Sequence, residues 1–402
     1  MSKRLTGGIT APKGFLAAGI HAGIKRTEQL DLALVASEIP GPIAGVFTKN
    51  TIPAAPIMLN RQHLKKGIGQ ALIINSGNAN AFTGTEGLEH ARETVHLVSE
   101  HLAIPKHRVF VSSTGVIGVP LPMPALRKGI PVLTAQLRKT GHRDAAQAIM
   151  TTDTRPKTIA VQQRIGGKVV TIGGMAKGSG MIHPDMATML AYLTTDAVID
   201  QKILQKLLRT VADQTFNCIS VDGETSTNDT VLCLANGMAG NRTIPPAGVA
   251  HTQFQKLLHE VCHYLAMEIC HDGEGATKLI EIHVTEAASH KAARQFAYTL
   301  ATSPLVKTAI FGADPNWGRI IAALGRAGYP LRPDRIVIAF NQTTIVKDGR
   351  GLGPRIEQQV QKIMQRPSFT ISIALGMGKG TATQWTTDLT YDYVKINASY
   401  RS

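Results

Sequence analysis

The residues with the clearest chemical potential lie in a glycine-rich segment at 173–190. The segment reads GGMAKGSGMIHPDMATML, in which closely spaced glycines are followed by a proline and then by Ala187 and Thr188. Glycine permits positive φ angles and a close approach of the backbone, so the first half is typical of a strained loop around a ligand. The apolar run at 189–193 predicts a strand that begins at Thr188.

A threonine in this position could serve as an N-terminal nucleophile. If the bond between Ala187 and Thr188 breaks, the new α-amino group, whose pKa is about 8, lies beside the hydroxyl of its own residue. The amine can then act as the general base for that hydroxyl. Cleavage itself requires Thr188 Oγ1 to attack the carbonyl of Ala187, which the small alanine side chain leaves accessible. The pattern alone leaves a second interpretation open, a threonine placed after a loop for its β-propensity.

Two other patterns that resemble known sites have the wrong spacing. Cys262, His263, Cys270 and His271 extend across the end of a predicted helix, and the sequence has no second CxxC-type pair. We therefore predict no metal site, since structural zinc sites need paired ligands at regular spacing. The KGSG stretch at 177–180 lacks the GxxxxGK[ST] spacing of a phosphate-binding loop.

The composition predicts a globular protein of the cytoplasm. The 402 residues are 43% hydrophobic and 18% charged, a balance that excludes intrinsic disorder and allows two domains at roughly 100–200 residues each. The four cysteines are too few for a disulfide framework and indicate a reducing compartment. The sequence shows neither the apolar run of a signal peptide nor the roughly 18 uninterrupted apolar residues of a membrane span.

The net charge of +15 leaves open one alternative of a different class, a nucleic-acid-binding protein. The positive charges are scattered, however, and no aromatic residues are interleaved with them. We favour a solvated basic surface that attracts anionic metabolites, and we predict no nucleic-acid partner. A salt-dependent shift of DNA would support the alternative.

Apolar periodicity predicts alternating strands and helices around the glycine-rich segment. Predicted strands lie at 43–47, 70–74, 109–113, 159–165, 168–172, 230–234, 279–284, 336–340 and 370–374. Predicted helices lie at 86–102, 133–150, 201–216, 254–269, 289–301, 316–324 and 355–363. Gly166 and Gly167, between two of the strands, are typical of a hairpin turn. A change of pattern after residue 278 predicts two domains, residues 1–280 and residues 281–402.

The sequence resembles the ornithine acetyltransferase family, also called glutamate N-acetyltransferases, along nearly its whole length. The stretch AKGSGMIHPDMATML is similar to the self-cleavage signature of these arginine-biosynthesis enzymes. Further blocks follow the family's order: FTKN at 47–50 with AAP at 54–56, NSGNAN at 75–80, STGVIG at 113–118, MTTDT at 150–154, DGEGATK at 272–278, GADPNWGR at 312–319 and NASYRS at 397–402. Such a set of blocks in order is far more specific than any one of them.

The resemblance implies an acetyl shuttle. Family members cleave themselves into an α and a β chain, here 1–187 and 188–402, and move an acetyl group from N2-acetylornithine to glutamate through an acetyl-threonine. It further implies ping-pong kinetics, no cofactor and an α2β2 heterotetramer, and it leaves open whether acetyl-CoA is a second acetyl donor. The implied fold is α/β, an αββα-like sandwich of the N-terminal-nucleophile aminopeptidase type. A smaller C-terminal α+β domain follows, whose tail returns to the active site.

The resemblance also assigns the site residues. Thr188 corresponds to the nucleophile, and the bond from Ala187 to Thr188 corresponds to the cleaved bond. Thr114 and Gly115 correspond to the oxyanion pair, although by themselves they would be interpreted as an ordinary turn. The residues that correspond to substrate contacts are Thr151, Lys177, Thr188, Glu274, Asn397 and Ser402. Among these, a lysine can pair with a substrate carboxylate and a glutamate with a substrate ammonium.

One alternative within enzymes remains. A related autoprocessed aminopeptidase or amidase would use the same threonine, with water removing the acyl group from the ester. The block at 397–402 and the unit after residue 280 favour the transferase.

Overall fold

The computed structural model describes residues 2–183 and 189–399, which form mixed strands and helices. The strands are β1 Lys3–Leu5, β2 Phe15–Ile20, β3 Leu32–Phe47, β4 Ile68–Asn78, β5 Val109–Val116, β6 Lys157–Ile165, β7 Lys168–Lys177, β8 Leu190–Thr195, β9 Ile219–Ser220, β10 Thr230–Ala235, β11 Leu279–Ala287, β12 Val337–Phe340, β13 Thr343–Lys347, β14 Arg350–Gly351, β15 Ser368–Ala374 and β16 Gly380–Thr387. The helices are α1 Ala55–Leu64, α2 Gly84–Leu102, α3 Met123–Ala135, α4 His142–Ala148, α5 Gln201–Gln214, α6 Val249–His271, α7 His290–Ala301, α8 Pro304–Phe311, α9 Trp317–Gly325, α10 Pro354–Met364 and α11 Tyr391–Ser399.

The larger sheet is organised around the long strand β3. Nine of the described strands form this sheet in the order β1-β6-β7-β8-β10-β3-β4-β5, with β2 also paired to β3. The first part of β3 pairs with β2 and β4, whereas its last five residues, 43–47, pair with β10. Where the strand changes partner, a Cβ atom on Gly41 would lie 1.9 Å from the carbonyl oxygen of Ala235, so the crossing requires glycine.

Alternate side chains show that the two halves of this sheet face each other. Leu190 and Tyr192 of β8 lie in an apolar core that also holds Val35, Leu72 and Phe110 from the other half. Successive residues of a strand point to opposite faces, so the residues between these must face outward from the two layers. The inner core therefore lies between two sheet layers.

Helices cover the outer face of each layer. Ala191 and Leu193 of β8 pack with side chains of α5 and α6. Leu34 of β3 and Ile73 of β4 pack with side chains of α1, α2 and α3. The order of layers is helix, sheet, sheet, helix, which confirms the predicted αββα arrangement. Because both faces of these strands are buried, their sequences are continuously apolar instead of alternating.

The last third of the chain forms most of a second sheet. Seven of the described strands lie in the order β14-β13-β12-β15-β11-β16-β9. One face of this sheet packs with α7, α8, α9 and α10 in a separate apolar core, as expected for an α+β unit. The short strand β9 joins from earlier in the chain by pairing with β16. The division into residues 1–280 and 281–402 stays a prediction.

The hairpin and the amphipathic helices agree with the sequence, whereas one predicted helix is wrong. Gly166 and Gly167 connect β6 to β7 with φ angles of +58° and +86°, the left-handed values that such a turn needs. The segment 133–150 is not a single helix, because α3 ends and α4 begins within it. Between them, both backbone groups of Arg138 hydrogen-bond to Ala17 at 3.1 Å. This pairing with β2 outweighs the local preference for a helix.

Several elements were not anticipated, including β2, β13, α1, α8 and α11. No helix within residues 2–183 and 189–399 is long and apolar enough to cross a membrane.

Candidate active site

One cavity brings together most of the predicted site residues. Its lining includes Thr114, Gly115, Thr151, Lys177, Glu274 and Asn397. They come from the end of β5, the loop after α4, the end of β7, the loop after α6 and helix α11. Segments far apart in the sequence are thus joined in one polar site.

Ala187, Thr188 and Ser402 lie outside the described residues. Met189, which follows Thr188 in the sequence, is buried. Its N–H donates to Asp229 Oδ1 at 3.1 Å, and its carbonyl accepts from the N–H of Thr230 at 3.2 Å. Asn228, the residue before Asp229, lines the cavity, so the chain at Met189 is fixed beside the site.

The end of β5 can be built only with glycine at position 115. Gly115 has a φ of +131°, a region that side chains other than glycine's rarely adopt. A Cβ atom there would lie 2.4 Å from the carbonyl carbon of Gly77 and 2.5 Å from the nitrogen of Asn78. The close approach of β4 and β5 brings Thr114 and Gly115 to the cavity wall.

Lys177 is the cation of the cavity and is almost fully buried, with 3% of its surface exposed. Its Nζ donates to Thr151 Oγ1 at 2.8 Å and lies 3.5 Å from Thr114 Oγ1. Burial lowers the pKa of Lys177, and the negative charge of Asp153 opposes this shift. An ammonium group can only donate hydrogen bonds, so both threonine hydroxyls keep their own protons for a ligand.

Glu274 provides the negative charge on another wall of the cavity. Its Oε2 accepts from Asn397 Nδ2 at 2.9 Å, and its N–H donates to the carbonyl of Ser179 at 2.9 Å. A Cβ atom on Gly180 would lie 2.3 Å from the same carboxylate, so glycine here lets the acid pack against the glycine-rich loop. The acid is thereby positioned from both sides.

The C-terminal helix α11 lies over this part of the cavity. Thr390 Oγ1, just before the helix, donates to the carbonyl of Gly275 at 2.7 Å. Tyr393 Oη lies 3.3 Å from Asp222 Oδ2. Through these contacts the described part of the tail, up to residue 399, holds Asn397 against Glu274.

Three charged groups next to the cavity were missed by the sequence analysis. Asp153 Oδ1 accepts from Lys157 Nζ at 2.6 Å, and Lys157 Nζ also donates to Asp272 Oδ2 at 2.5 Å. The blocks MTTDT and DGEGATK contain the two acids, but neither block indicates that a buried lysine joins them. Burial alone would raise the pKa of Asp153, yet Lys177, Lys157 and the N–H of Gly178 lower it to about 2.

Asp229 and Asn228 were missed as well. Asn228 Nδ2 donates to the carbonyls of Ala79 and Ser113 at 2.6 and 2.9 Å, which holds the end of β5 in place. Burial raises the pKa of Asp229 well above its usual range, despite the N–H of Met189, the Thr48 hydroxyl and the charge of Lys177. Their position at the end of the polar stretch 222–229, directly before the strand that begins at Thr230, is the sequence signal that could have indicated them.

The arrangement suits an amino-acid ligand. One buried cation and one buried acid can bind a carboxylate and an ammonium at the same time, while hydroxyl groups donate between them. Among residues 2–183 and 189–399, no group of three or more His, Cys, Asp or Glu side chains is arranged to hold a metal ion.

The family model described as the ArgJ family matches residues 16–402. The chain belongs to the ArgJ family. This confirms the family recognised from the sequence blocks. The chain is 48% identical over 400 residues to the arginine biosynthesis bifunctional protein ArgJ of Symbiobacterium thermophilum, and the match covers 99% of each chain. The ArgJ protein of the same name from Thermosynechococcus vestitus is 46% identical over 414 residues, again with 99% of each chain covered.

A solved structure is also similar to part of this chain. The ornithine acetyltransferase of Mycobacterium tuberculosis, solved in complex with ornithine, is 40% identical to this chain. The match covers 46% of this chain and 98% of that chain, with a TM-score of 0.43.

Proposed function

We propose that the protein transfers an acetyl group from N2-acetylornithine to glutamate in arginine biosynthesis. The observation that carries the proposal is membership of the ArgJ family over residues 16–402, with relatives named for arginine biosynthesis that match 99% of the chain. The cavity supports it, because the buried cation Lys177 suits the α-carboxylate that N2-acetylornithine and glutamate share, and Glu274 suits the side-chain ammonium of N2-acetylornithine. Acetyl-CoA is a second candidate donor, since the relatives are named bifunctional.

Thr188 is the proposed nucleophile, freed when the chain cleaves itself between Ala187 and Thr188. The α-amine of Thr188 takes the proton from its own hydroxyl, and Oγ1 attacks the acetyl carbonyl of acetylornithine. The carbon–nitrogen bond then breaks, and the departing amine of ornithine receives that proton. An acetyl ester of Thr188 remains.

Glutamate completes the cycle in a second half-reaction. Its neutral α-amine attacks the ester carbonyl, the bond from carbon to Oγ1 breaks, and Oγ1 recovers a proton from the attacking nitrogen. The products are N-acetylglutamate and the free threonine. Because ornithine leaves before glutamate reacts, ping-pong kinetics are expected.

Thr114 and Gly115 are the proposed oxyanion pair in both half-reactions. Each tetrahedral intermediate carries a negative oxygen that needs donors already in place. The hydroxyl of Thr114 and the N–H of Gly115 can supply them together. Because Lys177 Nζ lies 3.5 Å from Thr114 Oγ1, that oxygen can accept from the ammonium while its proton goes to the intermediate.

The remaining residues are the proposed substrate contacts. Lys177 pairs with the substrate carboxylate, and Thr151 donates beside it. Glu274 receives the substrate ammonium, with Asn397 holding the acid and Ser402 contributing from the end of the tail. The α-carboxylate is common to N2-acetylornithine and glutamate, so its contact with Lys177 serves both substrates. The α-nitrogen of N2-acetylornithine is an uncharged amide, so the ammonium that Glu274 receives from this substrate is that of its side chain.

The assembly is proposed as two α chains, 1–187, and two β chains, 188–402, in a heterotetramer. We place it in the cytoplasm, where four cysteines without disulfide partners are stable.

The test combines mass measurement with two incubations. The intact mass of the purified protein should correspond to chains 1–187 and 188–402, and N-terminal sequencing of the second should read TMLAY. Incubation with acetylornithine and glutamate should yield acetylglutamate, whereas acetate release without acetylglutamate would favour the hydrolase alternative. Thr188→Ala should leave one chain and no activity, and Thr188→Ser serves as the matched control that keeps a hydroxyl. A fully active Thr188→Ala variant would rule out the proposal.

A further inference from the structure

Asp153 lies at the centre of a buried chain of charges behind the cavity. Its Oδ2 is 3.9 Å from Lys177 Nζ, and its Oδ1 is 2.6 Å from Lys157 Nζ. The same carboxylate accepts from the N–H of Gly178 at 2.7 Å and from the N–H of Thr151 at 3.0 Å. Asp153 therefore contacts Lys177 and Thr151, the two residues proposed to bind the substrate carboxylate, and it is itself buried.

Asp272 extends the chain of charges towards Glu274. It pairs with Lys157 at 2.5 Å and accepts from the N–H and the hydroxyl of Thr154. The charges alternate along the four side chains, from Lys177 through Asp153 and Lys157 to Asp272. Two positive and two negative groups are thus buried with no net charge, which is the arrangement under which buried ions are tolerated.

The need for such a partner follows from the burial of Lys177. Moving an ammonium group out of water favours its neutral form, and a carboxylate within ion-pair distance opposes that change. The charged groups that act on Lys177 are Asp153, Lys157, Glu274, Asp229 and Lys25. Of the three acids, Glu274 hydrogen-bonds to Asn397, and burial favours the neutral form of Asp229. Asp153 is the acid in ion-pair contact with Lys177.

We propose that Asp153 is a positioning residue that keeps Lys177 protonated and directed into the cavity, and that Lys157 and Asp272 hold Asp153 in place for this role. The inference rests on the proposed function, in which Lys177 binds the substrate carboxylate. Asp153 does not touch the substrate, so its loss acts through the charge of Lys177.

The pH dependence of the reaction separates this role from a structural one. Activity should rise with pH as the α-amine of Thr188 loses its proton, and fall at higher pH as Lys177 loses its own. Asp153→Asn removes an interaction that favours the ammonium, so the alkaline limb should move to lower pH by about one unit or more. The acid limb belongs to a different group and should stay in place.

The experiment measures kcat/KM for N2-acetylornithine against pH in the wild type and in Asp153→Asn, after gels confirm that both are cleaved. At a pH on the alkaline side, kcat/KM should fall about tenfold or more while kcat at saturating substrates changes much less. Asp272→Asn is the matched control, because it removes the same charge from the same network without touching Lys177. Its alkaline limb should move less than half as far.

Each outcome decides the inference. A wild type that makes no acetylglutamate would refute the proposed function, independently of Asp153. Two outcomes with an active wild type would overturn the inference and leave the proposed function standing. In one, the alkaline limb of Asp153→Asn lies at the same pH as that of the wild type. In the other, the alkaline limbs of Asp153→Asn and Asp272→Asn move by the same amount. If Asp153→Asn does not fold, the double variant Asp153→Asn/Lys157→Gln removes one charge of each sign. It should still move the limb to lower pH, and an unmoved or alkaline-shifted limb would contradict the inference.

Discussion

Lys157 and Lys307 are both buried lysines, and the two regions that contain them satisfy the ammonium group differently. Lys157, at the start of β6, lies between the carboxylates of Asp153 and Asp272. Lys307, in α8 beside the second sheet, donates to neutral oxygens of Thr386 and Thr387. Within residues 2–183 and 189–399, Lys307 has no carboxylate within 4.0 Å.

The difference shows that the hydrogen-bond acceptors around a buried lysine, neutral oxygens or carboxylates, determine the role of its ammonium group. Burial lowers the pKa of Lys307 to about 8, although Asp388, Asp222 and Cys270 act in the opposite direction. Lys157 instead joins two acids and links the cavity to the loop that carries Glu274. Lys307, whose partners are neutral, connects α8 to the end of β16, whereas Lys157 balances the charges of two carboxylates beside the cavity.

The largest expected effect is on stability, when each lysine is replaced by methionine. Lys157→Met leaves two carboxylates buried without their cation and should lower the free energy of unfolding by about 3–5 kcal/mol. Lys307→Met removes a charge whose burial is unfavourable, so it should leave the free energy of unfolding unchanged or raise it by about 1 kcal/mol. Urea unfolding at pH 7, in the single-chain Thr188→Ala background, measures both. Equal losses would show that the type of partner makes no difference.

The second prediction concerns alkaline pH. The pKa of Lys307 is about 8 in the folded protein and about 10.5 when unfolded, so the unfolded chain binds more protons between these values. Stability contributed by this group should therefore rise between pH 8 and pH 10.5, by about 3 kcal/mol. Urea unfolding at several pH values should show this rise in the free energy of unfolding when residue 307 is lysine, and no such rise in Lys307→Met. Parallel curves for the two proteins would contradict it.

The third prediction concerns acid. Lys177 and Lys157 hold the pKa of Asp153 at about 2, below its unfolded value of about 4. The stability that this carboxylate contributes is fully present above about pH 4 and should be lost as pH falls through about 2, by about 2 kcal/mol. Unfolding curves of the wild type and Asp153→Asn should converge over that range. The exposed Asp392→Asn is the control and should stay parallel to the wild type.

The smallest effect on stability is expected at Asn397, whose partner Glu274 is a buried acid held by a surface helix. Asn397→Ala removes the hydrogen bonds that Nδ2 donates to Glu274 at 2.9 Å and to the carbonyl of Tyr393 at 3.0 Å, and should cost about 1 kcal/mol or less. Its effect should instead appear as a higher KM for N2-acetylornithine, because the carboxylate of Glu274 that receives the substrate ammonium loses its orientation. Lys395→Ala, at an exposed position of the same helix, should change neither quantity. An unchanged KM in Asn397→Ala would remove Asn397 from the substrate site.

The elements that sequence reasoning predicted well are those whose signal is local. Gly166 and Gly167 mark a turn by backbone freedom alone, and α5 shows its buried face through the spacing of its leucines. The segment 133–150 failed because Arg138 pairs with Ala17 of a strand far away in sequence. No local periodicity reports such a contact.

In the candidate site, too, single residues were predictable from the sequence, whereas the contacts between them were not. The sequence blocks point to Thr114, Lys177 and Glu274 one at a time, and a motif can be read without knowing what lies beside it. The sequence does not indicate that Asp153 contacts both Lys177 and Lys157. These residues, like the blocks MTTDT and DGEGATK, come together only in the folded structure.

The sequence by itself determined the family, the order of most strands and helices, and the identity of the candidate reactive groups, since these depend on residue type and short-range spacing. The tertiary structure alone decided the charge environment of Lys177 and the position of Asn397 against Glu274. The physical reason is that burial and ion pairing depend on distances between segments, and the packing of the two sheet layers and of the C-terminal helix sets those distances.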